Sequence, residues 1–305
     1  LFTQTERLLF LVVTAILIVD LVVIVTSGQK VNWTGYVVGA TASALMIGLG
    51  LFYRLVRGNE RIAVTCLAAA IYILFSIGAS VLNYLLLPVG DRATDLELVQ
   101  IDSMLGFNWP DYVRWFIGYP WLAQVFGLVY ASAISQIALV IFCLGISVQK
   151  TELYRFLCCG LIGVLASMAI WYVAPSFGTS VVYDIDALGL TSFTLVVGAD
   201  YGEALRQQAQ FGIEVLSPDN VLGLIAFPSV HILLAGMCTV YSRTLKRIFP
   251  VLLVLNMAVI PATILHGGHH LIDILAGVAL FAISYFVARI LVRDPHPENS
   301  GALVY

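Results

Sequence analysis

Eight apolar runs divide the chain, each close to the ~20 residues a helix needs to cross the hydrocarbon layer. They cover residues 8–27, 33–52, 62–87, 121–148, 154–174, 224–241, 248–265 and 270–291. Polarity almost nowhere alternates with a period of two, so the pattern predicts membrane helices and not the strands of a membrane barrel. The expected fold is an all-α integral membrane protein with about eight transmembrane helices. Two long polar stretches, 88–120 and 175–223, break the series. The predicted organisation is therefore N-terminal transmembrane helices over 1–87, an interfacial loop over 88–120, a helix bundle over 121–294 that contains the 175–223 loop, and a tail over 295–305. No small-residue cleavage site follows the first run, which reads as a span and not a signal peptide.

Composition sharpens this picture. Hydrophobic residues make up 60% of the 305 and charged residues only 11%, far from the balance of an ordinary soluble domain. The net charge of -3 and the scattered basic residues leave no stripe for a nucleic acid. The five cysteines fall within or beside apolar runs, where free thiols behave as small hydrophobes, so no disulfide is expected.

Lysine and arginine set the expected orientation. With both termini cytoplasmic, Arg7, Arg54, Arg57, Arg61, Lys150, Arg155, Arg243, Lys246, Arg247, Arg289 and Arg293 are inside, and only Lys30, Arg92, Arg114 and Arg206 are outside. Both long polar stretches then face outward. The first contains Trp109, Tyr112, Trp115, Tyr119 and Trp121, an aromatic density expected of a segment in the headgroup layer. Such a segment serves either as a plain anchoring belt or as a lipid-facing wall of a site. Asp20 and Asn256 lie inside spans and are expected to find interhelical partners.

Two polar clusters carry candidate chemistry. At the mouth of the last span stands His266-Gly267-Gly268-His269-His270-Leu271-Ile272-Asp273. His269 and Asp273 are four residues apart, a spacing that places them on one helical face and lets the carboxylate hold one imidazole nitrogen while the other stays free. His266 and His270, taken singly, read as interfacial or core histidines. At the mouth of the sixth span stands Phe227-Pro228-Ser229-Val230-His231. Proline suits the first turn of a helix, whose free amides, with a serine hydroxyl nearby, make an anion site. Both spans enter from the same side, so His231 and His269 are expected at similar depth, facing one another.

Pro228-Ser229-Val230-His231 resembles the P-S-x-H motif of the type 2 phosphatidic acid phosphatase superfamily, and Gly268-His269-His270-Leu271-Ile272-Asp273 resembles its G-x-H-x-x-x-D motif. The Phe-Pro-Ser-Val-His wording and Leu105-Gly106-Phe107-Asn108-Trp109 look most like the branch that includes inositol phosphorylceramide synthases and bacterial relatives. The resemblance implies a phosphatase or phosphotransferase acting on a lipid phosphate or phospholipid, with a lipid alcohol as a second acceptor. It implies His269 as nucleophile, Asp273 fixing its tautomer, and His231 as general acid and then base. Ser229 and the Gly268 turn would bind the phosphoryl group, and no metal or other cofactor is called for. A bacterial inner membrane, with the site facing the periplasm or exterior, is the implied setting.

The chain departs from that pattern in its basic residues. The lysine that precedes an arginine-proline pair is absent, and Ala262-Thr263 stand where a serine-arginine pair is expected. Arg206, in the loop leading to the serine motif, is the favoured replacement for the lost phosphate ligand. Two other readings remain: a metal site of His266, His269 or His270 with Asp273, and a proton- or ion-coupled transporter that uses the histidines as a relay.

Overall fold

The computed structural model describes residues 1–293; the expected tail, 295–305, lies outside them. Helix α1 (Gln4–Ser27) opens on a capping box in which Thr3 and Glu6 satisfy each other's amides, and it stops at Gly28 in the left-handed region. Asn32 and Asn59 cap α2 (Trp33–Leu55) and α3 (Glu60–Leu85) through their side chains. The 88–120 stretch, expected as an interfacial loop, folds into α4 (Asp95–Met104) and the short α5 (Trp109–Trp115). There follow α6 (Pro120–Ala131), α7 (Ala133–Ile146), α8 (Lys150–Val173), α9 (Ala199–Phe211), α10 (Val230–Ser242), α11 (Phe249–His266) and α12 (Leu271–Leu291).

Six of the described helices, α1, α2, α3, α8, α11 and α12, are long and apolar enough to cross a membrane. The run at 121–148 is a pair, α6 and α7, bent by 47°. The run at 224–241 becomes a helix of only 13 residues, because the chain from Val221 to Ser229 is turn and loop that enters the bundle before winding up. Non-helical backbone is tolerated at such depth only where protein buries it, and Leu224, Ala226 and Ser229 are all buried. Pro228 accordingly precedes α10 instead of sitting in its first turn, and Ser229 is the N-cap.

The main core joins α1, α3, α7, α8, α10 and α12 through Val13, Ile71, Val140, Phe156, Leu233 and Leu280, with the buried Cys158, Cys159 and Cys238 among them. All five cysteines are free thiols. The end of the bundle that carries α4, α5 and α9 is here termed the site end. Two-residue strands tie it together: β1 (Lys30–Val31), between α1 and α2, pairs in parallel with β2 (Val215–Leu216), in the loop before the serine motif. At the opposite end Arg54 bridges Glu6 and Glu60, at 2.8 Å each, and Lys150 reaches Glu60 at 2.7 Å.

Asp20 and Asn256 are buried, but among the described residues neither side chain finds a hydrogen-bond partner, contrary to expectation. Asp20 lies against Gly78 of α3, a small residue that permits close approach and offers no side-chain donor.

Candidate active site

The site forms where the mouths of α10 and α12 meet. Helix α12 begins at Leu271, so His269 and His270 occupy the turn before it and His270 is its N-cap. The four-residue relation to Asp273 survives this shift: His269 Nδ1 lies 3.2 Å from Asp273 Oδ2. An ionised carboxylate only accepts, so Nδ1 carries the proton and Nε2 keeps a free lone pair. The same Oδ2 accepts the His270 backbone amide at 2.8 Å, which fixes the carboxylate in the first turn. His269 and Asp273 are almost wholly shielded, their side chains 4% and 0% exposed, so the pair works in a medium of low polarity.

His231 is the second residue of α10, and its ring faces that of His269 edge-on with centroids 6.0 Å apart. Both rings line one small cavity, so a single reacting group there can meet the two of them. Tyr130, at the end of α6, stacks on His231 with ring centroids 4.4 Å apart. Stacking on Tyr130 therefore holds the plane of the His231 ring before any substrate arrives. A cavity of about 30 Å³ opens beside the pair, lined by Tyr130, Tyr201, Ala226, His231, Gly267 and His269.

Three hydroxyls crowd this end. Ser229 Oγ, Thr179 Oγ1 and Ser180 Oγ are buried and have no hydrogen-bond partner among the described residues. Ser229 is fixed by its amide, which donates to the Asp273 carbonyl at 3.1 Å. Gly277 makes room for this contact: a Cβ there would stand 2.7 Å from the Ser229 carbonyl oxygen. The Thr179 amide donates to the Gly268 carbonyl at 2.6 Å, and Gly268 holds φ of +61°, a turn open to glycine at no steric cost. The segment after α8 thus closes one wall of the site.

Two of the neighbouring histidines have other work. His266 places Nε2 2.8 Å from the Ala123 carbonyl and Nδ1 3.4 Å from the Val196 amide, which holds α6 and the 190s loop against α11. Both its ring nitrogens are thus engaged, and no group of three or more His, Cys, Asp or Glu able to hold a metal ion occurs among the described residues. His270 sits between two carboxylates, 3.5 Å from Asp95 and 3.7 Å from Asp102. Burial pulls its imidazole down, but the neighbouring Asp102 and Asp95 carboxylates outweigh burial and push it up to about 9. Asp95 also accepts from the Ser176 hydroxyl and the Phe177 and Gly178 amides, while Asp102 accepts the first amides of α12 at Leu271 and Ile272. Helix α4 is therefore a clamp across both walls of the site.

Arg206 lies on α9, bound to Glu203 at 3.1 Å and to the Val181 carbonyl at 3.0 Å. It adjoins the Thr179–Ser180 wall but does not line the cavity beside the histidines. The aromatic stretch divides by role. Trp115, Tyr119 and Trp121 are exposed, whereas Trp109 is buried, donates from Nε1 to the Ile264 carbonyl at 2.8 Å and stacks on Tyr183. The sequence marks residues 172–179 as either a pocket wall or a plain helix stop, but the clamp of Asp95 and Asp102, the Ser180 hydroxyl and Tyr130 were not singled out from it. Only the acidic residues of α4, just ahead of an otherwise apolar motif, offered a signal.

A family model described as the PAP2 superfamily matches residues 96–287. No curated protein and no solved structure matches significantly.

Proposed function

The chain belongs to the PAP2 superfamily, and from that premise we propose that it is a lipid phosphate phosphatase or phosphotransferase working through a phosphohistidine on His269. The observation that carries this reading is the buried His269–Asp273 pair, with His231 beside it on the same small cavity. The lone pair of His269 Nε2 forms the P–N bond as the P–O bond to the lipid breaks. His231 gives its proton to the departing oxygen. Asp273 stabilises the imidazolium that develops on His269. In the second half, His231 takes a proton from water or an alcohol, the new oxygen bonds to phosphorus, and the P–N electron pair returns to His269.

Charge on the phosphoryl oxygens is met here largely without the family's lost basic residues. The amino end of α10 offers first-turn amides and a positive dipole, and Ser229, Thr179 and Ser180 bring hydroxyls that lack partners. The Gly268 turn shapes the floor, and Arg206 adds distant positive charge through the Thr179–Ser180 wall. With water as second acceptor the product is free phosphate. With a lipid alcohol it is a new phospholipid, as in the inositol phosphorylceramide synthase-like branch that the Phe227–His231 wording resembles. The charge asymmetry of the loops supports a site on the exterior or periplasmic side, and the resemblance to bacterial relatives implies a bacterial inner membrane.

The test is purified protein in detergent, supplied with phosphatidic acid, polyprenyl pyrophosphate or phosphoinositide, with and without ceramide or diacylglycerol. Wild type should release phosphate or form a new phospholipid, and His269→Ala should lose at least 1,000-fold, a loss of the order seen on removing a catalytic nucleophile. Equal turnover by His269→Ala and wild type would remove the reading. A relay protein of the transporter class would show proton or ion flux in vesicles and no product.

A further inference from the structure

A chamber of about 330 Å³ extends from His231 into the bundle and shares Gly223, Ile225 and His231 with the small cavity. Its lining includes Ala79 and Asn83 of α3, Phe156 and Gly160 of α8, and His231 and Leu234 of α10. Its size falls in the range of about 300–1,000 Å³ typical of small-molecule sites. From His231 it follows α10 as far as Met237, six residues or roughly 9 Å along the helix. Two features identify an occupant. The lining residue Ser76 is exposed and Gly160 half-buried, both near the middle of their spans, so the chamber reaches the surface where the hydrocarbon layer lies, and not where water does. Its Asn83 keeps a buried Oδ1 with no hydrogen-bond partner among the described residues, an acceptor waiting for a hydroxyl or amide donor.

On the phosphohistidine reading above, which this step requires for its chemistry, we propose that the chamber binds the alcohol part of a lipid. The hydrocarbon lies between α3, α8 and α10, a polar group near the head donates to Asn83, and the alcohol oxygen is presented to His231. Microscopic reversibility gives the leaving alcohol and an incoming alcohol the same place, because the same imidazole protonates one and deprotonates the other. The balance between hydrolysis and transfer then depends on whether a lipid alcohol or water stands beside His231 once the phosphohistidine has formed. Helix α3, which supplies Ala79 and Asn83, precedes the family-matched residues 96–287. Selection among lipids is thus assigned partly to a span outside the family-matched residues.

The test uses the full chain in lipid nanodiscs with a diazirine in the lipid tail, carried either by a phosphatidate or by the corresponding diacylglycerol. His269→Ala protein prevents turnover, and adducts are mapped by mass spectrometry. Adducts on the chamber faces of α3 and α8, reduced at least five-fold by Gly160→Phe, support the proposal. Labelling by the phosphatidate identifies the leaving alcohol, and labelling by diacylglycerol identifies an acceptor. Adducts confined to the outer lipid-facing surface, or unaffected by Gly160→Phe, overturn it. In otherwise wild-type protein, Gly160→Phe and Ala79→Phe should lower kcat/KM for long-chain phosphatidate at least ten-fold more than for a six-carbon analogue. An equal fall for both chain lengths also overturns the chamber. Because the labelling needs no turnover, it stands apart from the His269→Ala activity test, which alone decides the phosphohistidine.

Discussion

Adjacent in the chain, His269 and His270 receive different tasks from the carboxylates they meet. Asp273 holds one nitrogen of His269 and leaves the other free, whereas Asp95 and Asp102 flank His270 as an ion-pair partner. Asp273→Asn keeps the shape but permits the wrong tautomer, so kcat should fall by roughly 10²–10⁴-fold with KM little changed. Steady-state kinetics on a phosphatidate decides this, and a pure KM effect would contradict it. His270 is a matter of stability. Its folded-state value, about 9, lies above the ordinary 6.5, so its stabilisation is complete below about pH 6.5 and disappears as pH rises through about 9. Thermal unfolding in detergent should show a loss over that window that is absent from His270→Gln, which is already less stable at pH 6. His231, His269 and Asp273 were legible in the sequence because motif spacing is local. The Asp95 and Asp102 clamp was not, since its bonds span more than 80 and nearly 170 residues of chain.

At the scale of elements, the site depends on how closely the amino ends of α10 and α12 approach. Gly277 lies one turn beyond Asp273, and a Cβ there would press on the Ser229 carbonyl, a backbone atom that cannot swing aside. Gly277→Ala should therefore shift α10, and His231 with it, relative to His269. A displacement of about 1 Å in a catalytic group can cost 10²-fold. We expect kcat to fall by 10-fold or more while membrane insertion and expression persist, and wild-type kcat in this variant would show the approach to be unimportant. All eight apolar runs proved helical in their main part, because apolar length is a local property that water and lipid read directly. The 47° bend after Tyr130 and the shortened α10 were not visible. Both lie beside the histidines: the bend follows Tyr130, which stacks on His231, and residues of the loop ahead of α10 are buried.

At the scale of the whole molecule, the ends of the bundle differ in charge and in mechanical role. Lys30, Arg92, Arg114 and Arg206 sit on the site end, and the other eleven basic residues follow the loops and helix ends opposite. There, Arg54 supports the completely buried Glu6 and joins it to Glu60 and Lys150, linking α1, α2, α3 and α8. Arg54→Ala leaves a buried carboxylate without its cation, a change that costs about 3–5 kcal/mol in other proteins. The site lies at the far end, so activity at low temperature should persist while thermal inactivation comes earlier; loss of kcat at low temperature would instead reveal coupling along the spans. The charge asymmetry is the basis of the proposed orientation, which thiol chemistry can test. The five native cysteines lie on spans, four of them buried and Cys143 partly so, which keeps their background low. A membrane-impermeant maleimide applied to intact cells should label Glu203→Cys, on exposed α9 at the site end, and spare Arg57→Cys at the opposite end until the membrane is opened. The reverse pattern would place the histidines in the cytoplasm and limit the site to lipids of the inner leaflet.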